Sequence, residues 1–121
     1  MNLSACIGCG CDEVHGCIYP HSDTTCYWLR FDAAAHAGVC SRCEDLVEHW
    51  DRGGRALLPA IVAERFHRQA MFLYEDEASA KAWVDAPQPG LGGIAPRELI
   101  EDGALEQLYA LLDALRDGVY P

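Results

Sequence analysis

A chain of 121 residues, half of them apolar, has room for one ordinary domain or two very small ones. Its formal net charge of −10 argues against a nucleic-acid binder that works by neutralising phosphates, since such proteins cluster Lys and Arg. No apolar run reaches the ~18 residues of a membrane span, and Met1–Ala5 lacks the basic start and apolar run of a secretory leader, so a cytoplasmic protein is expected.

From the N-terminus, the first signal is cysteine. All seven cysteines lie between Cys6 and Cys43. In a cytoplasmic chain they point to metal rather than to disulfides, and the odd number agrees. Cys6-x2-Cys9 and Cys40-x2-Cys43 are two pairs whose spacing lets both thiolates of a tight turn reach one ion. Together they predict a tetrahedral four-thiolate zinc site. Gly8 and Gly10 suit a knuckle around the first pair. Glu44–Trp50 is an amphipathic run with acids in its first turn, which places the second pair at a helix N-terminus. Residues 1–50 are thus expected to form a zinc-binding module of zinc-ribbon or treble-clef-like shape. Cys11, Cys17 and Cys26 remain. With His15, His21 or His36 they are candidates for a second zinc, or they pack as small apolar residues; spacing does not fix a fourth ligand. Iron–sulfur ligation suits the same thiolates less well. No enzyme is expected. Four thiolates leave no position for a water, no His-x-Glu is present, and Val39 stands before Cys40 where a zinc deaminase has proline.

Composition changes near residue 50. Asp51–Gly54 reads as a joint. Arg55–Leu73 has helical periodicity through Leu58, Ile61, Val62, Phe66 and Leu73, with Gln69 interrupting the stripe. Pro59 sits where a first turn accepts it. Arg52, Arg55, Arg65 and Arg68 make this the one basic stretch and are expected to form a solvated face. Residues 51–74 are therefore read as a connecting helix.

Residues 75–121 predict three helices. One covers Asp76–Val84 and stops before Pro87. A short one runs from Pro96 to Gly103, with proline inside the start and glycine past the end. The last covers Ala104–Asp117, where Leu105, Leu108, Leu112 and Leu115 form one apolar seam. Tyr109 and Leu111 widen that face, as core or as a docking surface, and an exposed Leu/Tyr face there would suit a homodimer. The expected fold class is small α+β: a zinc-stapled module, then an all-α helical domain.

Two resemblances follow from these residues. The first 45 residues carry Cys6, Cys9, Cys11, Cys17, Cys26 with Trp28, and Cys40-Ser41-Arg42-Cys43. This pattern resembles a cysteine-rich motif of phage and prophage proteins, and it implies metal. Over residues 75–121, Ala80, Ala82 and Trp83 lie on one helix. Pro87 and Pro89 follow, then Leu91-Gly92-Gly93 with Pro96, Leu99-Ile100, Gly103, Leu111-Leu112 and Gly118-Val119-Tyr120. This order resembles the toxin-binding domain of the Xre/MbcA/ParS antitoxins. The resemblance implies a non-enzymatic protein that neutralises a NAD-consuming toxin. It would use Trp83, Leu91, Gly92, Gly93 and Pro96 as scaffold and the Tyr120 end for contact. The two glycines are expected where a side chain would clash. Ala95 replaces the family's usual Ser or Thr, so a helix cap of about 1 kcal/mol is expected to be lost. A cysteine module stands where the family usually has a DNA-binding helix-turn-helix, so operator binding does not carry over. The alternative is an acidic phage-encoded inhibitor or adaptor that occupies a host defence or nucleic-acid-binding protein.

Overall fold

The structure is a computed structural model, and it describes residues 4–17 and 26–118. The cysteine-bearing part is a small sheet with a helical tail. Strand β1 (Ala5–Cys6) pairs in parallel with β3 (Ala37–Cys40), and β2 (Trp28–Asp32) pairs antiparallel with β3 on its other side. The register sets Cys6 beside Gly38 and Trp28 beside Cys40. A thiol therefore stands at the end of each pairing. After Cys40 the chain winds through a 3₁₀ segment, Ser41–Leu46, into α1 (Val47–Asp51). The expected helix after the second cysteine pair is thus present, with its first turns tightened. Cys43 sits at a non-helical kink there (φ −121°, ψ 36°).

The stretch predicted as one helix over 55–73 is two pieces. Helix α2 (Pro59–Arg65) begins at the proline, and Phe66–Leu73 continues as 3₁₀. The tighter winding brings residues i and i+3 into line. Here that aligns Phe66 with Gln69, and both are buried. The segment divides its faces between two cores. Leu58 and Ile61 pack against the cysteine core of Ile7, Val39, Leu46 and Trp50. Val62, Phe66 and Ala70 belong to the helical core.

The helical part follows expectation closely. Helix α3 (Glu77–Asp85) is capped by Asp76, whose carboxylate accepts from Ser79 N at 2.7 Å. Helix α4 (Pro96–Glu101) has proline in its first turn, and α5 is Leu105–Arg116. Their core is Trp83, Val84, Leu99, Ile100, Leu105, Leu108, Tyr109, Leu111 and Leu112. Tyr109 and Leu111 are buried there, so the exposed Leu/Tyr face considered for α5 is absent: the extra apolar residues are consumed by the chain's own interior. No helix among the described residues is long and apolar enough to cross a membrane.

The arginines also differ from expectation. Arg55 stacks on the Trp50 ring at 3.9 Å, donates to Trp50 O at 2.6 Å and pairs with Asp32. Arg65 makes a two-pronged pair with Asp45, and Arg68 donates to Arg42 O at 3.2 Å. Only Arg52 fits a solvated face, pairing with Glu48 one turn away. The other three lie along the acidic cysteine-bearing part, which supplies carboxylates and carbonyls for them to fold onto.

Candidate metal centre

The sheet register and the two turns bring the cysteines together in one buried cluster. All seven are free thiols, and all but the half-buried Cys26 are buried. Two groupings have sulfurs within 4.8 Å of one another: Cys6, Cys9, Cys11 and Cys40, and Cys11, Cys17, Cys26 and Cys40. Of the four cysteines expected around one zinc, Cys6, Cys9 and Cys40 thus meet together with Cys11. Cys43 adjoins them, its thiol interacting with those of Cys40, Cys6 and Cys9.

The spacings fit a metal better than disulfides. Cys9 and Cys17 sulfurs are 3.4 Å apart, Cys9 and Cys40 3.6 Å, and Cys11 and Cys26 3.9 Å. Sulfurs on one tetrahedral zinc, each ~2.3 Å from the metal, sit roughly 3.8 Å apart, whereas a disulfide needs ~2.05 Å. Backbone amides are aimed at the sulfurs as well. Gly8 N and Cys40 N point at Cys6 Sγ (3.4 and 3.5 Å), and Cys17 N donates to Cys26 Sγ at 3.1 Å. Such bonds favour the thiolate form. Among the thiols, Cys11 pulls both Cys6 and Cys26 well below the ordinary cysteine range, while Cys17 and Cys26 hold the proton on Cys11. Gly8 is needed for closeness: a Cβ there would lie 2.3 Å from Leu46 Cδ1 and 2.9 Å from Cys43 Sγ.

The histidines considered as ligands are placed otherwise. His15 spends both ring nitrogens on carboxylates, Nδ1 on Asp12 and Nε2 on Asp113, each at 2.8 Å. His36 is exposed at the hairpin turn with φ 52°. His21 lies outside the described residues.

Three contacts tie this cluster to the helical part. Gln69 Nε2 donates to Cys9 O at 3.0 Å. Tyr109 Oη donates to Gly10 O at 2.6 Å. His15, already bonded to Asp113 of α5, stacks on the Tyr109 ring with centroids 4.1 Å apart. Burial pushes the Tyr109 phenol well above its usual range, so it stays a donor. Sequence reading missed all three. Gln69 was the visible clue, a polar residue in an apolar stripe, but its partner 60 residues away leaves no local trace.

On the far side, Trp83 and Pro96 are buried and Leu91 half-buried, while Gly92 and Gly93 are exposed. The turn 88–94 is closed by Gly93 N to Gln88 O (2.9 Å) and Gln88 N to Ile94 O (3.2 Å). The expected clash at the glycines is corrected: a Cβ at either position would meet open space. Their backbone is the reason for glycine, with φ of 70° and 85°, a region that other residues enter at a cost. The cap at Ala95 is half kept. Glu98 reaches back and accepts from Ala95 N at 2.9 Å, the reciprocal arm of a capping box. Tyr120 lies outside the described residues.

With this arrangement established, part of the chain can be compared with a known family. Residues 69–118 match the model of the antitoxin Xre/MbcA/ParS C-terminal toxin-binding domain. The match begins at Gln69, upstream of Glu75 where the resemblance began. It takes in the end of the 3₁₀ segment and all of α3, α4 and α5. The match points to an antitoxin-like, protein-binding role for the helical part. No curated protein and no solved structure matches the chain.

Proposed function

We propose that the protein is an antitoxin-like inhibitor whose helical part docks on a small NAD-consuming toxin, and that its cysteines hold structural zinc in a treble-clef-like module. The observation that carries the first half is the match of residues 69–118 to a toxin-binding domain. The folded core supports it, because Trp83, Leu99, Ile100 and Leu112 fill one interior and leave Gly92, Gly93 and Ile94 exposed on the turn. Trp83 and Pro96 act as scaffold. The contact surface is the turn of Leu91, Gly92 and Gly93, with Ile94 42% exposed at its tip, together with the Tyr120 end. The mechanism is occlusion rather than chemistry.

Zinc fits the donor set: soft thiolates, spacings near those of a tetrahedral shell, and amides aimed at sulfur. Residues 1–50 then act as the metal module, 51–74 as the connector and 75–121 as the binding domain. A reducing cytoplasm would keep the thiols available.

The net charge of −10 favours a second reading, in which the acidic surface occupies a basic nucleic-acid-binding site on a host defence protein. Affinity capture of the zinc-loaded chain from its host, with the partner identified by mass spectrometry, separates the two. A stoichiometric toxin whose NAD depletion is suppressed by the purified protein is the expected result. A nucleic-acid machine bound tightly only at low salt would replace the first reading with the second.

A further inference from the structure

Cys40 stands between two sets of thiols. Its thiol interacts with Cys6, Cys9 and Cys43 on one side and with Cys11, Cys17 and Cys26 on the other. It belongs to both groupings of close sulfurs. Cys11 also belongs to both, but Cys40 is the one of the two that is joined to Cys43 through a two-residue turn.

Two separate tetrahedral thiolate sites need eight sulfurs, and this chain has seven cysteines. Two sites that share one sulfur need seven. We infer that the cluster holds two zinc ions bridged by the Cys40 thiolate. The inner ion takes Cys6 and Cys9 with Cys43, which the Cys40-x2-Cys43 turn brings beside them, the outer ion takes Cys11, Cys17 and Cys26, and Cys40 completes both; Cys9 and Cys17, 3.4 Å apart, then face each other across the bridge. This rests on the zinc reading of the cysteines and supplies the fourth ligand of the second site, which spacing alone does not fix. The charge balance favours sharing. Two Zn²⁺ on seven thiolates leave a cluster charge of −3, against −4 for two isolated four-thiolate sites. Arg65, set between Asp45 and the Cys43 thiol, lies where it offsets part of that charge.

The two ions are not equivalent. A cleft of about 360 Å³ opens onto Cys11, Cys26 and Cys40, and Cys26 is the least buried thiol. Cys6, Cys9 and Cys43 are fully buried. The outer ion is therefore the one that chelators reach first.

The test is zinc content by native mass spectrometry together with X-ray absorption at the zinc edge, on the full chain. The expected result is two zinc ions per chain, an all-sulfur shell, and a metal–metal vector no longer than ~4.6 Å, the limit for two ions each ~2.3 Å from one sulfur. Cys26→Ala should keep one zinc, whereas Cys40→Ala should weaken both. One zinc per chain, or two without a metal–metal vector, overturns the bridge and leaves the zinc reading standing. A chain that binds no zinc overturns both.

Discussion

The two parts of this molecule reach a stable interior by opposite routes. The helical part buries Phe66, Trp83, Leu99, Ile100, Leu108 and Leu112, and its stability comes from removing apolar area from water. The cysteine-bearing part has few large apolar residues inside, chiefly Ile7, Val39, Leu46 and Trp50, and six of its buried core residues are thiols. A core of that size needs a staple. The difference teaches where each half should fail: one should answer to metal, the other to truncation of a side chain.

The largest effect should come from metal removal. Strong chelation, or acid that protonates the thiolates, should unfold the cysteine-bearing part, because structural zinc sites are worth on the order of 10 kcal/mol to folding. Thermal unfolding followed by circular dichroism with and without chelator checks this. A helical part that melts at the same temperature in both conditions would show that the two cores are independent, against the contacts of Gln69 and Tyr109. Next in size is Trp83→Ala, which should cost about 3–5 kcal/mol. It should collapse the helical signal and abolish partner binding while leaving metal content unchanged; metal loss would mean the dependence runs in both directions. Tyr109→Phe sharpens the comparison at the seam. It removes the donor to Gly10 O and leaves the ring, so about 1–2 kcal/mol should be lost, and zinc release to a chelator should quicken. The smallest effect should be Gly92→Ala, about 1–2 kcal/mol for a side chain held at positive φ. Its fold should survive, with the loss read mainly as weaker partner binding in calorimetry.

The sequence made the helical part legible because its boundaries are chemically marked. Asp76 caps α3, proline starts α4 and glycine ends it, and the ends of α5 fall one residue inside those expected. The cysteine pairs were equally visible as metal-type spacing. What was hidden depended on distant partners. The change from α-helix to 3₁₀ at Phe66 follows from burial on two sides, which periodicity does not reveal. Arg55, Arg65 and Arg68 looked like a solvent face because their acceptors, Asp32, Asp45 and Arg42 O, stand 23, 20 and 26 residues away. The grouping of Cys11 with Cys6, Cys9 and Cys40 depends on β3 lying beside β1, which thiol spacing does not encode.

The division of α2's faces has a consequence for anyone who would recombine this protein. A chimera cut at residue 50 and given a different N-terminal partner would inherit Leu58 and Ile61 with no surface to receive them. Its Gln69 and Tyr109 would face carbonyls that are no longer there. A cut at residue 69, where the antitoxin-type match begins, would instead remove Val62 and Phe66 from the helical interior. Neither border is a clean place to splice. The interchangeable unit is larger than the recognisable one, and a transplant that works should carry residues 55–74 along and re-create a ledge for Tyr109.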